Sequence, residues 1–566
     1  MTFTEMLCRI ILKYAPTGHF CVISIIRIGR HLTIMGMKEM PAITTFADGG
    51  KIWSHTFDTF TATVYVPKTK KTVGVVNYGF MAPYLLVFEE TARTAEECRK
   101  WAEECGLAEV AARYDTSVVF IDPTCEGGWD NAPAELYPEI IANTKIHQYF
   151  RDGVVTMKNR FTGEWGDCFI RGAIFRAYIY AFGKSADFVA KNYLKTVNGE
   201  FLWGPGEITP AVCILNGMSV VPKPERSDIP VVSIGNSDEI NNGLMDACGE
   251  LLIKDVAEYR EDFDSFVVRH RRWCGNLEEE PMLSELGMVE EPGSITVATY
   301  ADNRGDDRDT TEHEIGYVAY YNQGVFDNGP APVVFAFHGG GDSAMYISNV
   351  SGWNCIAQKY NFLLIAIENH LNSTATEIVE MLGKLKKRYN IDESRVYASG
   401  FSMGGCKSWD CFQEYPGVFA ALAPMDATFD VGQNSSGQPS PCEINRTVPV
   451  PIFYTGGEIT PLPELPFQAL KCTERIRYVF EVNKVVKKYD VRFEAQEEWT
   501  NKIWGIDGDR IRVIHDDSRN SDLTLHYFDS DDGVCRTVLG SISGQGHECR
   551  QHTCEQAWLF MSQFTR

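Results

Sequence analysis

The sequence predicts an α/β protein of two tandem domains, each a mostly parallel sheet flanked by helices. Two observations predict it. Short runs such as Val333-Val-Phe-Ala-Phe337 and Phe362-Leu-Leu-Ile-Ala-Ile367 are apolar throughout rather than at every second residue, as in strands buried on both faces, and helical stretches separate them. The same order of elements then recurs in the two halves. Length agrees, because at roughly 100–200 residues per domain a chain of 566 exceeds one core.

Residues 1–40 are set apart as a leader. Phe20-Cys-Val-Ile-Ser-Ile-Ile26 is apolar but too short to span a bilayer, and it lacks a small-residue cleavage site. In the first domain, 41–280, strands are expected at Thr61–Pro67, Thr72–Tyr78, Ser117–Asp122, Tyr178–Phe182, Pro210–Leu215 and Ile229–Ile234, with a helix between Ala92 and Cys105. The polar stretch Trp273–Pro281 reads as the join. In the second domain, 285–566, strands are expected at Ile315–Tyr321, Val333–Phe337, Phe362–Ile367, Arg395–Ser399, Pro451–Thr455 and Val538–Ser543. Helices are expected at Trp353–Tyr360, Ala375–Tyr389, Gly405–Glu414 and Cys554–Phe564. Tyr180-Ala-Phe-Gly-Lys-Ser185 lines up with Tyr397-Ala-Ser-Gly-Phe-Ser402, and Ile229–Gly235 with Val450–Gly456, which suggests an internal duplication.

A formal net charge of −23 argues against nucleic acid and anionic membrane surfaces as partners. The 17 cysteines are odd in number and many lie in apolar or helical patterns, so reduced thiols and a cytoplasmic setting are expected. Sequons at Asn349, Asn372, Asn434 and Asn445 point weakly toward secretion. A homo-oligomer is left open.

Chemistry concentrates in the second half. A serine hydroxyl is a poor nucleophile until a base takes its proton and a sharp turn presents it. Gly400-Phe401-Ser402-Met403-Gly404, placed after one predicted strand and before a helix, is such a strand-to-helix elbow. His338-Gly339-Gly340-Gly341 follows another apolar strand, where glycines let backbone N–H groups approach a developing oxyanion. The expected donors are the N–H of Met403 and one from Gly340 or Gly341. His547, in Gly546-His547 after the last predicted strand, is the expected base, with His552 as competitor. Glu458, after Pro451–Thr455, is the favoured acid, with Asp426 as the alternative and Asp507 and Asp516 as outsiders.

With Tyr397-Ala-Ser-Gly-Phe-Ser-Met-Gly-Gly405, His338-Gly-Gly-Gly341 and Gly546-His547 together, residues of about 290–566 resemble the α/β-hydrolase esterases that include polyhydroxybutyrate depolymerases and feruloyl or acetylxylan esterases. The resemblance implies carboxylic-ester hydrolysis through an acyl-enzyme, on a small or polymer-derived ester, with no metal and no organic cofactor. Glu458 departs from it, standing where the family usually has an aspartate. The stretch from about Pro463 to Leu525, with Trp499 and Trp504, is expected to form a lid or one wall of the acyl pocket. His547, Cys549, His552 and Cys554 lack a standard zinc spacing. A disulfide from Cys549 or Cys554, with Cys442 as one candidate partner, is left open.

The first half reads as a degenerate copy, so that both domains are α/β-hydrolase-like. Ser185 keeps a glycine two residues before it, but Asp187 replaces the second. Asn77-Tyr-Gly-Phe80 stands in place of the glycine loop, Asp238 fits the acid, and no strand followed by Gly-His appears up to Arg272. His270 is expected at the surface. Two alternatives remain: a prolyl-oligopeptidase-like peptidase, disfavoured because no propeller repeat is visible, and a non-catalytic binding protein built of two hydrolase-like halves.

Overall fold

The computed structural model describes residues 42–68, 81–114, 116–143, 172–201, 204–245, 248–273, 275–280, 282–298, 311–340, 342–368, 370, 373–459, 470–487 and 504–566. The leader, the strand expected at Thr72–Tyr78, and Gly341 and Trp499 lie outside these residues. The chain divides into two compact units, with the change at Pro281 and Met282.

The first unit holds β1 (Thr44–Thr45), β2 (Lys51–Thr56), β3 (Phe60–Val66), β4 (Tyr84–Phe88), β5 (Val118–Pro123), β6 (Ala177–Phe182), β9 (Val212–Asn216), β10 (Val231–Ile234) and β11 (Leu251–Lys254) in one sheet of order β1-β2-β3-β5-β4-β6-β9-β10-β11. Small hairpins β7–β8 (Asn198–Phe201, Gly204–Glu207) and β12–β13 (His270–Trp273, Asn276–Glu279) stand apart. Pairing is antiparallel from β1 through β3 to β5 and parallel beyond. Helix α1 (Lys184–Tyr193) follows β6 directly.

The second unit holds β14 (Met288–Ala298), β15 (Glu312–Asn322), β16 (Ala331–Phe337), β17 (Leu363–Ile367), β18 (Ile391–Phe401), β19 (Ala421–Met425), β20 (Ile452–Gly457), β21 (Arg510–Asp516), β22 (Ser521–Asp529) and β23 (Cys535–Ile542), ordered β14-β15-β17-β16-β18-β19-β20-β23-β22-β21. The five strands from β17 to β20, together with β23, run parallel, and the outer strands are antiparallel. The first eight positions of this order repeat those of β2 to β11. The uniformly apolar β16, β17 and β19 are buried at nearly every position because helices cover both faces. Helix α2 (Ala375–Leu385) starts where Thr374 and Glu377 cap each other's free N–H groups. Helix α3 (Met403–Glu414) leaves the end of β18.

The stretch expected to be a lid is largely structural where it is described. Helix α4 (Leu470–Val482) places Cys472, Ile476, Tyr478, Val479 and Phe480 in the core. Trp504 is buried with its ring 4.8 Å from that of Tyr454, and β21 and β22 extend the sheet. Apolar side chains at these spacings are better satisfied inside than over a pocket. Helix α5 (Gln551–Met561) closes the unit.

Two differences from expectation stand in the first unit. β11, parallel to β10, is not among the strands expected there; its four residues are too few for periodicity to separate strand from helix. His270 is buried rather than exposed, held by the Phe266 carbonyl at 3.0 Å and Glu250 at 3.2 Å.

Candidate active site

The turn between β18 and α3 carries Ser402 with φ 53° and ψ −118°, a backbone that a residue with a Cβ adopts only under strain. Its N–H donates to Met425 O at 3.0 Å, and its carbonyl accepts from Cys406 N at 3.0 Å. The glycines are required by contact. A Cβ on Gly400 would overlap the carbonyl of Gly404, and one on Gly404 would overlap the carbonyl of Phe337. The turn therefore pushes the serine out at the carboxyl end of the parallel strands, where it remains partly exposed.

The glycine loop follows β16 to the same end. The position of a Cβ on Gly340 lies 3.1 Å from Met403 Cγ, so Gly340 and the first residue of α3 are neighbours, and Gly340 is exposed. Residues that sequence reasoning missed hold this loop. His338 Nε2 meets Glu368 O at 2.6 Å, and His370 Nε2 meets His338 O at 2.7 Å. Glu368 accepts the Ala344 N–H at 3.0 Å, and the N–H of Asp342 donates to the carbonyl of Gly339 at 3.2 Å. Burial pushes Asp342 up to about 7. Only the adjacency of Asp342 and Ser343 to the glycines hinted at this scaffold.

His547 lies on the loop between β23 and α5, with its ring 4.6 Å from that of Phe401, the neighbour of Ser402. Burial lowers it to about 4, and its Nδ1 has no hydrogen-bond partner among the described residues. The backbone of Gln545 and Gly546 packs so closely on Gly457, at the end of β20, that a Cβ there would overlap both carbonyls.

The two candidate acids differ sharply. Glu458 is exposed; its N–H donates to Ile542 O at 3.0 Å, and its carboxylate makes no hydrogen bond among the described residues. Asp426, directly after β19, is 1% exposed with φ 47°. One of its oxygens accepts the N–H of Gly457 at 3.0 Å, and its own N–H donates to Thr455 O at 2.9 Å. Burial raises Asp426 to about 8; the Gly457 N–H lowers it, and the charge of Glu548, beside His547, raises it further. Asp426 and the His547 loop thus both rest on Gly457. His552 sits in α5; Asp507 lies near His526, and Asp516 binds Ser518. Among the described residues no three His, Cys, Asp or Glu side chains group closely enough to hold a metal ion.

The register of the first unit corrects the alignment of the two halves. Phe182 pairs with Asn216 as Phe401 pairs with Met425, so Gly183, not Ser185, occupies the place of Ser402. Gly183 has φ 51° and ψ −118°, and its N–H donates to Asn216 O at 2.9 Å, reproducing the Ser402 turn. A Cβ there would overlap the Glu90 carboxylate. Ser185 takes the place of Gly404 and is buried, donating to Phe88 O at 2.6 Å. Gly217, with φ 64°, follows β9 as Asp426 follows β19, and its N–H donates to Ile234 O at 3.0 Å. Glu89 and Glu90, after β4, stand where His338 and Gly339 stand, a place expected for Asn77–Phe80, which lie outside the described residues. Asp187 ties down Ser219 and Val220, and Asp238 is an exposed first residue of a helix.

No protein-family model matches the chain. Over 245 residues it is 24% identical to a bifunctional acetylxylan esterase/xylanase of Neocallimastix patriciarum, covering 42% of this chain and 31% of that protein. Over 150 residues it is 27% identical to poly(3-hydroxyalkanoate) depolymerase C of Paucimonas lemoignei, covering 23% and 34%. The chain is similar to esterases of the α/β-hydrolase type. It spans about a third of the length of these curated relatives. Among solved structures, an acetyl xylan esterase from Aspergillus awamori aligns with 48% of this chain and 99% of its own at 13% identity and a TM-score of 0.30. An S-formylglutathione hydrolase from Staphylococcus aureus aligns with 30% and 82% at 13% and 0.23.

Proposed function

We propose that the second unit is a carboxylic-ester hydrolase with Ser402 as nucleophile, His547 as base and Asp426 as acid. The observation that carries this reading is a pair of strained backbones. Ser402 and Asp426 end neighbouring strands with positive φ, and the first unit has glycine, Gly183 and Gly217, at both places. Glycine holds that conformation without strain. Keeping a serine and an aspartate there implies that their side chains are used.

In this reading Ser402 Oγ attacks the ester carbonyl and its proton passes to His547. Backbone N–H groups of Met403 and of Gly340 or Gly341 receive the oxyanion. His547 then protonates the leaving alcohol, and water resolves the acyl-enzyme by the same steps. The Nδ1 of His547, without a partner among the described residues, is the natural donor to Asp426. Such a bond commonly tightens only when substrate is bound. The buried carboxylate, pinned by Gly457, can hold an imidazole in one orientation, whereas the exposed Glu458 is free to swing. The activities in the names of the two curated relatives favour short acyl esters of sugars or hydroxyalkanoates as substrates.

The test is hydrolysis of acetyl, hydroxybutyryl and feruloyl esters by variants. Ser402→Ala is expected to lose roughly 10⁶-fold in kcat, and Asp426→Asn about 10³–10⁴-fold. Glu458→Gln should stay within a few-fold of wild type. If instead Glu458→Gln loses activity and Asp426→Asn keeps it, Glu458 is the acid.

A further inference from the structure

Three sulfurs meet behind the candidate site. Cys549 Sγ and Cys554 Sγ are 3.4 Å apart, and they lie 3.5 and 3.8 Å from Met425 Sδ. All three residues are buried, with Cys549 8% and Cys554 0% exposed. Their positions in the chain matter. Met425 accepts the Ser402 N–H and precedes Asp426; Cys549 lies two residues after His547; Cys554 lies in the first turn of α5. A thiol is a weak donor and a weak acceptor, so two buried thiols in contact gain little from each other as thiols.

We propose that Cys549 and Cys554 close to a disulfide that staples the His547 loop to α5. A disulfide needs its sulfurs at about 2.0 Å, so side-chain rotation must bring the pair together by about 1.4 Å. The oxidant class is a low-molecular-weight disulfide. The Cys549 thiolate attacks one of its sulfurs, forming a mixed disulfide and releasing one small thiolate. The Cys554 thiolate then attacks the Cys549 sulfur and displaces the second. The protein dithiol loses two electrons and two protons, and the small disulfide becomes two thiols. The hydrogen bond to Cys554, together with burial, pushes the Cys549 thiol well up, so exchange proceeds when the loop opens. His547 stands on the loop that ends at α5, so the staple would also fix where its ring stands. This consequence rests on the proposed role of His547; the bond itself does not.

The experiment uses the full chain. It is incubated with oxidised or reduced glutathione, blocked with an alkylating reagent, digested without reduction and read by mass spectrometry, with Tm measured on both forms. The expected result is a peptide linked through Cys549 and Cys554, a higher Tm for the oxidised form, and loss of that Tm difference in Cys554→Ser. Two alkylated thiols after oxidation, or Cys549 linked to Cys442, would overturn it. The wild-type mass result stands even if the variant folds poorly. It is also independent of ester turnover, so failure of the esterase reading would show separately.

Discussion

At the scale of single residues, the account turns on Asp426. A carboxylate sealed inside a protein is costly when ionised, and burial together with the charge of Glu548 raises this one to about 8. Its folded-state value lies above the ordinary 3.8, so the folded protein holds the proton between the two values. The contribution to stability is then full below about pH 4 and is lost as pH rises through about 8. Asp426→Asn is therefore expected to raise Tm, and by more at pH 9 than at pH 5. Activity has the opposite need, because the acid works ionised. A profile of kcat/KM should rise toward pH 8, and Glu548→Gln, which removes the adjacent negative charge, should move that limb to lower pH; an unmoved limb would detach Asp426 from it. Ser402 and His547 stand out in the sequence as candidates because their neighbours are unusual: glycines on one side, the final strand on the other. The environments of the two candidate acids do not show there. Spacing finds carboxylates that follow strands, but it does not show that Asp426 is buried against Gly457 while Glu458 faces water.

At the scale of elements, the elbow is a backbone device that exists in both units, with a serine at its turn in one and a glycine in the other. The sequence alignment placed Ser185 on Ser402, two residues from the observed register. A slip of two keeps every side chain on the same face of a strand, so the hydrophobic pattern could not expose the error. Strand β4, Tyr84–Phe88, was missed, which shifted the expected oxyanion loop upstream to Asn77–Phe80. The contact geometry gives two predictions. Gly404→Ala drives a Cβ into the Phe337 carbonyl and should cost about 3 kcal/mol or more in denaturant titration, together with activity. Gly183→Ser meets the Glu90 carboxylate, and should lower Tm without creating a second reactive serine.

At the scale of the molecule, two sheets of shared strand order lie in one chain of net charge −23. The fold class was legible because uniformly apolar strands between helices admit few arrangements. The acidity carries a prediction of its own: kcat/KM on an ester bearing a carboxylate should rise with salt, as screening weakens repulsion, while that on a neutral ester of similar size stays flat. The central claim is that one serine, in the second unit, performs the chemistry. Fluorophosphonate labelling of the full chain, with the adduct located by mass spectrometry, tests it most directly. The account predicts a single adduct on Ser402, absent from Ser402→Ala. An unlabelled wild type, or an adduct on Ser185 or any other residue that persists in Ser402→Ala, would contradict it.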